Sequence, residues 1–243
     1  MYTRVVRLAT EAEVADVVAV RLLARIVELQ RSQPLVHLCL TGGDAANAMY
    51  ERFAELADGS DLDAAKLQLW WGDERFLPAT DPGRNSLQAI SRIARTVSIN
   101  SAHTHMMAAK DGRKDSHESA AEYEAELGDT RFDITLLGIG RDGHIGSIFP
   151  NHPSFDATSR AVIGVEDAPK EPSERISLTL PTLNRSDQVW FLANGEEKAD
   201  AVERAIEGDL ALPAAHVRGD EATFWFIDEA AAGGLPTPYI CAL

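Results

Sequence analysis

The chain has 243 residues, 45% of them apolar, which suffices for one large α/β domain or two small ones with a full core. Its 23 Lys and Arg stand against 38 Asp and Glu, a formal net charge of −15. That balance argues against a general affinity for nucleic acid or anionic membrane, so an anionic ligand must be held by a local group of cations. Two cysteines, Cys39 in an apolar run and Cys241 near the end, do not form a disulfide framework. The start MYTRVVRLAT has no signal-peptide hydrophobic region, and no apolar span reaches about 18 residues. The expectation is a soluble, reduced, cytoplasmic protein.

Thr10-Glu11-Ala12-Glu13 reads as a capping box, and Val14, Val17, Val18, Leu22, Ile26 and Leu29 follow at helical spacing. Pro34 precedes the apolar run 35–40. Gly42-Gly43 then turns into a helix through Met49, Phe53 and Leu56. Next come the run 67–71, a loop, a helix near 87–93, a short run at 104–107 and an acidic helix over 116–127. Further strands are expected at 132–137, 161–165, 176–180, 188–193 and 223–227, with a helix over 196–206 before the last. The 176–180 run alternates Ile/Leu with Ser/Thr, which suits an edge or a small antiparallel piece. Strands interleaved with helices predict an α/β fold of three layers, a mostly parallel sheet covered on both faces. No repeat or linker divides the chain, so residues 1–243 are expected to form a single domain. The proline-containing segment 150–173 is a candidate mobile flap.

The stretch LGIGRDGHIGSIFP at 137–150 contains GxGxxG after a strand, and Glu166 follows at about the remove expected of a ribose-binding acid. A dinucleotide site, however, needs the third glycine to open a long crossover helix. Pro150 and Pro153 deny it that helix. The loop still leaves the carboxyl end of a central strand, where open α/β sheets place ligands, and it carries Asp142, Gly143 and His144. Three other loops follow strands. Gly42-Gly43 exposes amides before a helix, with Asp44 as a candidate N-cap. Arg75, in WGDERFLP, offers a planar fork for phosphate or pairs with Asp73 or Glu74; Asn85-Ser86 follows as a polar anchor or a helix cap. Lys198, in GEEK, sits in a first helical turn against the dipole, either tolerated at the surface or kept for an anion, and Arg175 either has a surface role or adds to the same field. Together these residues suit a small-molecule site with a cationic corner and an Asp/His pair for proton transfer.

LTGG at 40–43, WGDERFLP at 71–78, Asn85-Ser86, LGIGRDGHIGSIFP at 137–150, RISLTLPTLN at 175–184 and GEEKADAV at 195–202 make the chain resemble the 6-phosphogluconolactonases. These are relatives of the glucosamine-6-phosphate deaminases, and the matching motifs span about residues 35–228. The resemblance implies a single domain related to the deaminase and ribose-5-phosphate isomerase folds. It implies hydrolysis of 6-phospho-D-glucono-1,5-lactone in the oxidative pentose phosphate pathway, with no cofactor or metal. By it, His144 is the base that activates water, Arg75 and Lys198 hold the 6-phosphate, and Gly42 and Gly43 lie against the ligand. Asp142 would orient the ring or hold the loop.

Two positions depart from the family's pattern. Asp44-Ala45 follows the glycine pair where Ser or Thr and Pro are common, so Asp44 must turn away to cap the helix or the loop must meet sugar hydroxyls. Ile145-Gly146 follows the histidine where Thr-Ala is common. Arg75 stands where deaminases carry tyrosine, and SIFP where they carry FNEP-like text, which favours the lactonase branch. The rivals are a deaminase-like enzyme, a metal hydrolase built on the seven scattered histidines, and a non-catalytic sugar-phosphate binder.

Overall fold

The computed structural model describes residues 2–236; Cys241 lies outside them. Among the described residues nine strands form two sheets. They are β1 (Tyr2–Leu8), β2 (Val36–Leu40), β3 (Leu67–Trp71), β4 (Asp73–Arg75), β5 (Phe132–Gly138), β6 (Val162–Val165), β7 (Arg175–Leu178), β8 (Ser186–Ala193) and β9 (Ala222–Asp228). The helices are α1 (Glu11–Gln30), α2 (Asp44–Ala57), α3 (Asn85–Ile93), α4 (Ser116–Leu127), the single turn α5 (Leu180–Leu183) and α6 (Ala199–Glu207). The main sheet has the order β1-β9-β8-β5-β2-β3, with every pairing parallel. Beside it β4-β7-β6 form a small antiparallel sheet, the second of the two places that the Ile/Ser alternation of 176–180 allows.

The inner strands are apolar on both faces because helices cover both. Trp190 and Leu192 of β8, Phe224 and Phe226 of β9 and Ile134 and Leu136 of β5 pack with α1, α2 and α3. Their alternates Val189, Phe191, Trp225, Ile227 and Leu137 pack with α4, α6 and the small sheet. The Thr10 hydroxyl accepts from Glu13 N and so caps α1. The Glu13 carboxylate reaches Ala9 N rather than Thr10 N, so the box is offset by one residue.

Several elements differ from the sequence reading, among them the strand β4 inside the loop expected after 67–71. β1 is an added edge strand, paired in parallel with β9 along its whole length. The run 104–107 is not a strand; Thr104 makes one isolated bridge to Leu69, because the 3-10 turn Ser101–His103 fixes its approach. The segment 150–173 is not a free flap, since β6 is zipped to β7 and a 3-10 turn spans Pro153–Phe155.

β2 and β5 are neighbours inside the sheet, but the next main-sheet strand after β2 is β3 on one side, and after β5, by way of the small sheet, β8 on the other. Connections that part in opposite directions open a crevice between the carboxyl ends of the two strands.

Candidate active site

A cleft occupies that crevice. Its wall includes Gly42 and Gly43 after β2, Asp73 and Arg75 of β4, Asn85 of α3, Gly140 and His144 after β5, Arg175 of β7 and Lys198 after β8. Seven of the eight predicted site residues therefore meet on one wall. The eighth, Asp142, lies outside the wall and hydrogen-bonds Nδ1 of His144.

No helix follows Gly143; residues 141–150 form turns. Gly140 N donates to His144 O at 2.9 Å and Gly143 N to Gly140 O at 2.9 Å, closing a tight loop. Gly143 has φ 82, in the left-handed region open to glycine. Gly140 is required for space. A Cβ there would lie 2.0 Å from both Cε1 and Nδ1 of His144, so the imidazole rests on its bare Cα. The ring also packs on Phe149, with centroids 4.7 Å apart. Burial alone would raise the Asp142 carboxyl, but its hydrogen bond to His144 and the charges of His144 and Lys170 hold it well below the usual carboxylate range. An ionised Asp142 facing Nδ1 selects the Nδ1–H tautomer and leaves the Nε2 lone pair free.

The acidic pair Asp73-Glu74 divides its work. Glu74 is fully buried and accepts from Asn85 N (2.6 Å), Ser86 N (3.0 Å), the Ser86 hydroxyl (2.6 Å) and Arg75 N (2.8 Å). It is thus the cap that α3 lacks from its own N-cap, Arg84. Burial pushes its carboxyl up, while the Ser86 hydroxyl and Arg84 pull it back. Asp73 accepts from Ser147 Oγ at 2.8 Å and from Asn85 Nδ2 at 3.1 Å, tying β4 to the histidine loop and to α3. Neither acid pairs with Arg75, whose NH1 donates instead to Gly83 O at 2.6 Å and whose Nε has no partner. Asn85 is buried, and its Oδ1 also has no partner. A Cβ on Gly42 would come 1.9 Å from that oxygen, so the amide fills the space a side chain at 42 would take.

Arg75 and Arg175 are directly opposite in the β4–β7 ladder. Like charges in register repel unless an anion or a carboxylate joins them. Burial lowers the Arg175 pKa from its ordinary value and Arg75 lowers it further, against the raising effects of Asp73 and Glu171. Lys198 lies in the 3-10 turn Glu196–Lys198 and is the N-cap of α6, one residue outside the helix rather than in its first turn. Asp228 anchors that turn by accepting from Gly195 N with both carboxylate oxygens, at 3.1 Å each.

Asp44 is the first residue of α2 and is exposed, while Gly43 is the N-cap with no side-chain bond. Asp44 therefore complements the helix dipole without capping it. Glu166 is exposed on a different surface depression beside His117 and His152, away from the cleft. Lys170, unmarked by any motif, reaches the His144–Asp142 pair. Among the described residues no three or more His, Cys, Asp or Glu side chains converge as metal ligands, and no helix is long and apolar enough to cross a membrane. His37 and His105 instead flank the indole of Trp70, with centroids 6.4 and 3.7 Å away.

The open parallel sheet, with a histidine–aspartate pair and an arginine corner at its switch point, is the frame of a sugar-phosphate family. The model of glucosamine-6-phosphate isomerases/6-phosphogluconolactonase matches residues 9–225, and the chain belongs to that family. Within it, the chain is 42% identical over 236 residues to the 6-phosphogluconolactonase of Streptomyces coelicolor, covering 91% of this chain and 90% of that one. The crystal structure of 6-phosphogluconolactonase from Thermotoga maritima superposes with a TM-score of 0.82 at 26% identity, covering 93% of this chain and all of that one. A monomeric glucosamine-6-phosphate deaminase shares the fold, with a TM-score of 0.77 at 24% identity, covering 95% of this chain and 99% of the other.

Proposed function

We propose that the protein hydrolyses 6-phospho-D-glucono-1,5-lactone to 6-phosphogluconate, with His144 as general base. The observation that carries this reading is the pairing of His144 with an ionised Asp142 in a cleft that Arg75 and Arg175 also line. Asp142 fixes the proton on Nδ1, so Nε2 takes a proton from the water that attacks C1. General-base help of this kind is worth roughly 10²–10⁴-fold. The Gly42-Gly43 amides at the start of α2 are donors for sugar hydroxyls or for the oxyanion that develops on the lactone carbonyl. One such donor contributes about 10²–10³-fold where it is aligned.

Arg75, Arg175 and Lys198 hold the 6-phosphate, which neutralises the cross-strand arginine pair. Binding energy at that remote end then orients the reacting one. Asp44 at the mouth of α2 disfavours phosphate there and leaves the arginine corner as its seat. Asn85, fixed by Asp73 and Glu74, presents its unpartnered Oδ1 toward a ligand hydroxyl at Gly42.

The test compares acid release from freshly made lactone, corrected for spontaneous hydrolysis, with ammonia release from glucosamine 6-phosphate. Accelerated acid release without ammonia is expected. Ammonia release with the lactone left at its spontaneous rate would replace this reading with the deaminase one.

A further inference from the structure

Lys170 Nζ lies 3.4 Å from His144 Nδ1 and 3.7 Å from Asp142 Oδ1. It arrives on the β6–β7 connection, and buried Arg175 holds that connection in place. Arg175 Nε donates to Pro172 O at 2.9 Å, and its NH2 donates to Lys170 O and Glu171 O at 3.0 and 3.2 Å. The same guanidinium sits 5.6 Å over the Phe149 ring, which also packs against the His144 imidazole. The ammonium is therefore positioned by the scaffold that positions the histidine. Neither Lys170 nor Asp142 belongs to the cleft wall, so both bear on a ligand through the ring.

We propose that Lys170 is a positioning residue that sets the basicity of His144, offsetting the Asp142 carboxylate so that the imidazole keeps both its Nδ1–H tautomer and its Nε2 lone pair. This deepens the lactonase reading and rests on His144 being its base. A carboxylate alone beside Nδ1 favours the imidazolium, which has no lone pair to offer water. An adjacent ammonium disfavours that second positive charge. The charged groups around the ring are Asp142 from its own loop and Lys170 from the β6–β7 connection. Arg141 and Arg175 bear on Lys170 itself, and Asp73, Arg75 and Lys198 stand elsewhere on the cleft wall. Burial lowers the Lys170 pKa below the ordinary lysine value, helped by Arg141 and Arg175 and opposed by Asp142.

The test is an NMR titration of His144 in the ligand-free protein, run on the wild type, Lys170→Met, Lys170→Gln and Lys170→Arg. Both neutral variants should raise the His144 midpoint by about one pH unit, and Lys170→Arg should leave it near the wild-type value. The acid limb of kcat/KM should move up with the midpoint, so the neutral variants lose activity at pH 6 and recover it at pH 8. An unmoved midpoint in a folded neutral variant would overturn the proposal. Because the titration needs no substrate, it judges Lys170 even if the wild type fails to open the lactone, a result that would defeat the functional reading alone.

Discussion

Gly140→Ala displaces the candidate base without deleting it. Gly140 is not among the glycines in the left-handed region, so alanine has no backbone penalty there. The whole cost falls on one contact: the new Cβ would sit 2.0 Å from two atoms of the His144 ring and 2.6 Å from Asp142 Oδ1. Ordinary contact begins near 3.4 Å, so the ring must retreat by more than an ångström or rotate away from Asp142. Misplacement of a catalytic group by about 1 Å costs on the order of 10²-fold. Lost tautomer control can add to that, up to the roughly 10²–10⁴-fold ceiling of base catalysis. The assay is steady-state lactone hydrolysis by Gly140→Ala, His144→Ala and the double variant. We expect kcat to fall about 10²–10³-fold for Gly140→Ala, and the double variant to be no slower than His144→Ala, because both remove one function. Near-wild-type kcat in Gly140→Ala, or a further loss in the double variant, would mean that Gly140 does not seat the His144 ring.

Arg75→Ala should weaken a phosphorylated ligand about 10–100-fold, the worth of one charge-assisted hydrogen bond. It should barely alter binding of the same lactone without phosphate, as competition kinetics would show. Glu74→Ala strands two α3 amides, the Ser86 hydroxyl and buried Arg84; it should cost about 3–5 kcal/mol in urea unfolding, and a loss under 1 kcal/mol would contradict the capping role. Asp142 has a depressed folded pKa, so its stabilisation is present above the unfolded carboxyl value of about 3.9 and is lost as pH falls through the folded one. The stability gap between wild type and Asp142→Asn should therefore close as pH falls below about 4; a gap that widens in acid would reverse the sign.

The main sheet was legible because its inner strands are short, apolar on both faces and punctuated by glycine turns. β1 was not, since Arg4 and Arg7 interrupt the apolar residues and its pairing partner β9 lies at the other end of the chain. β4 has three charged residues and exists through its ladder with β7, a hundred positions away. Pro150 suffices to rule out the crossover helix that GxGxxG would open, since that helix is a local property. Glu74 and Lys170 were opaque for the opposite reason. One looked like a partner for Arg75 and is a helix cap supplied from another element; the other reaches the histidine through a tether made by Arg175. Periodicity reports what a segment buries, not which distant loop returns to it.

In the proposed reaction His144 activates water against a lactone whose phosphate is held elsewhere. The most direct measurement pairs lactone turnover with 6-phosphogluconate affinity, by calorimetry, in wild type and His144→Ala. In the variant, turnover should fall at least about 10²-fold toward the spontaneous rate, while affinity stays within a few-fold. Wild-type turnover in His144→Ala would contradict that role for His144.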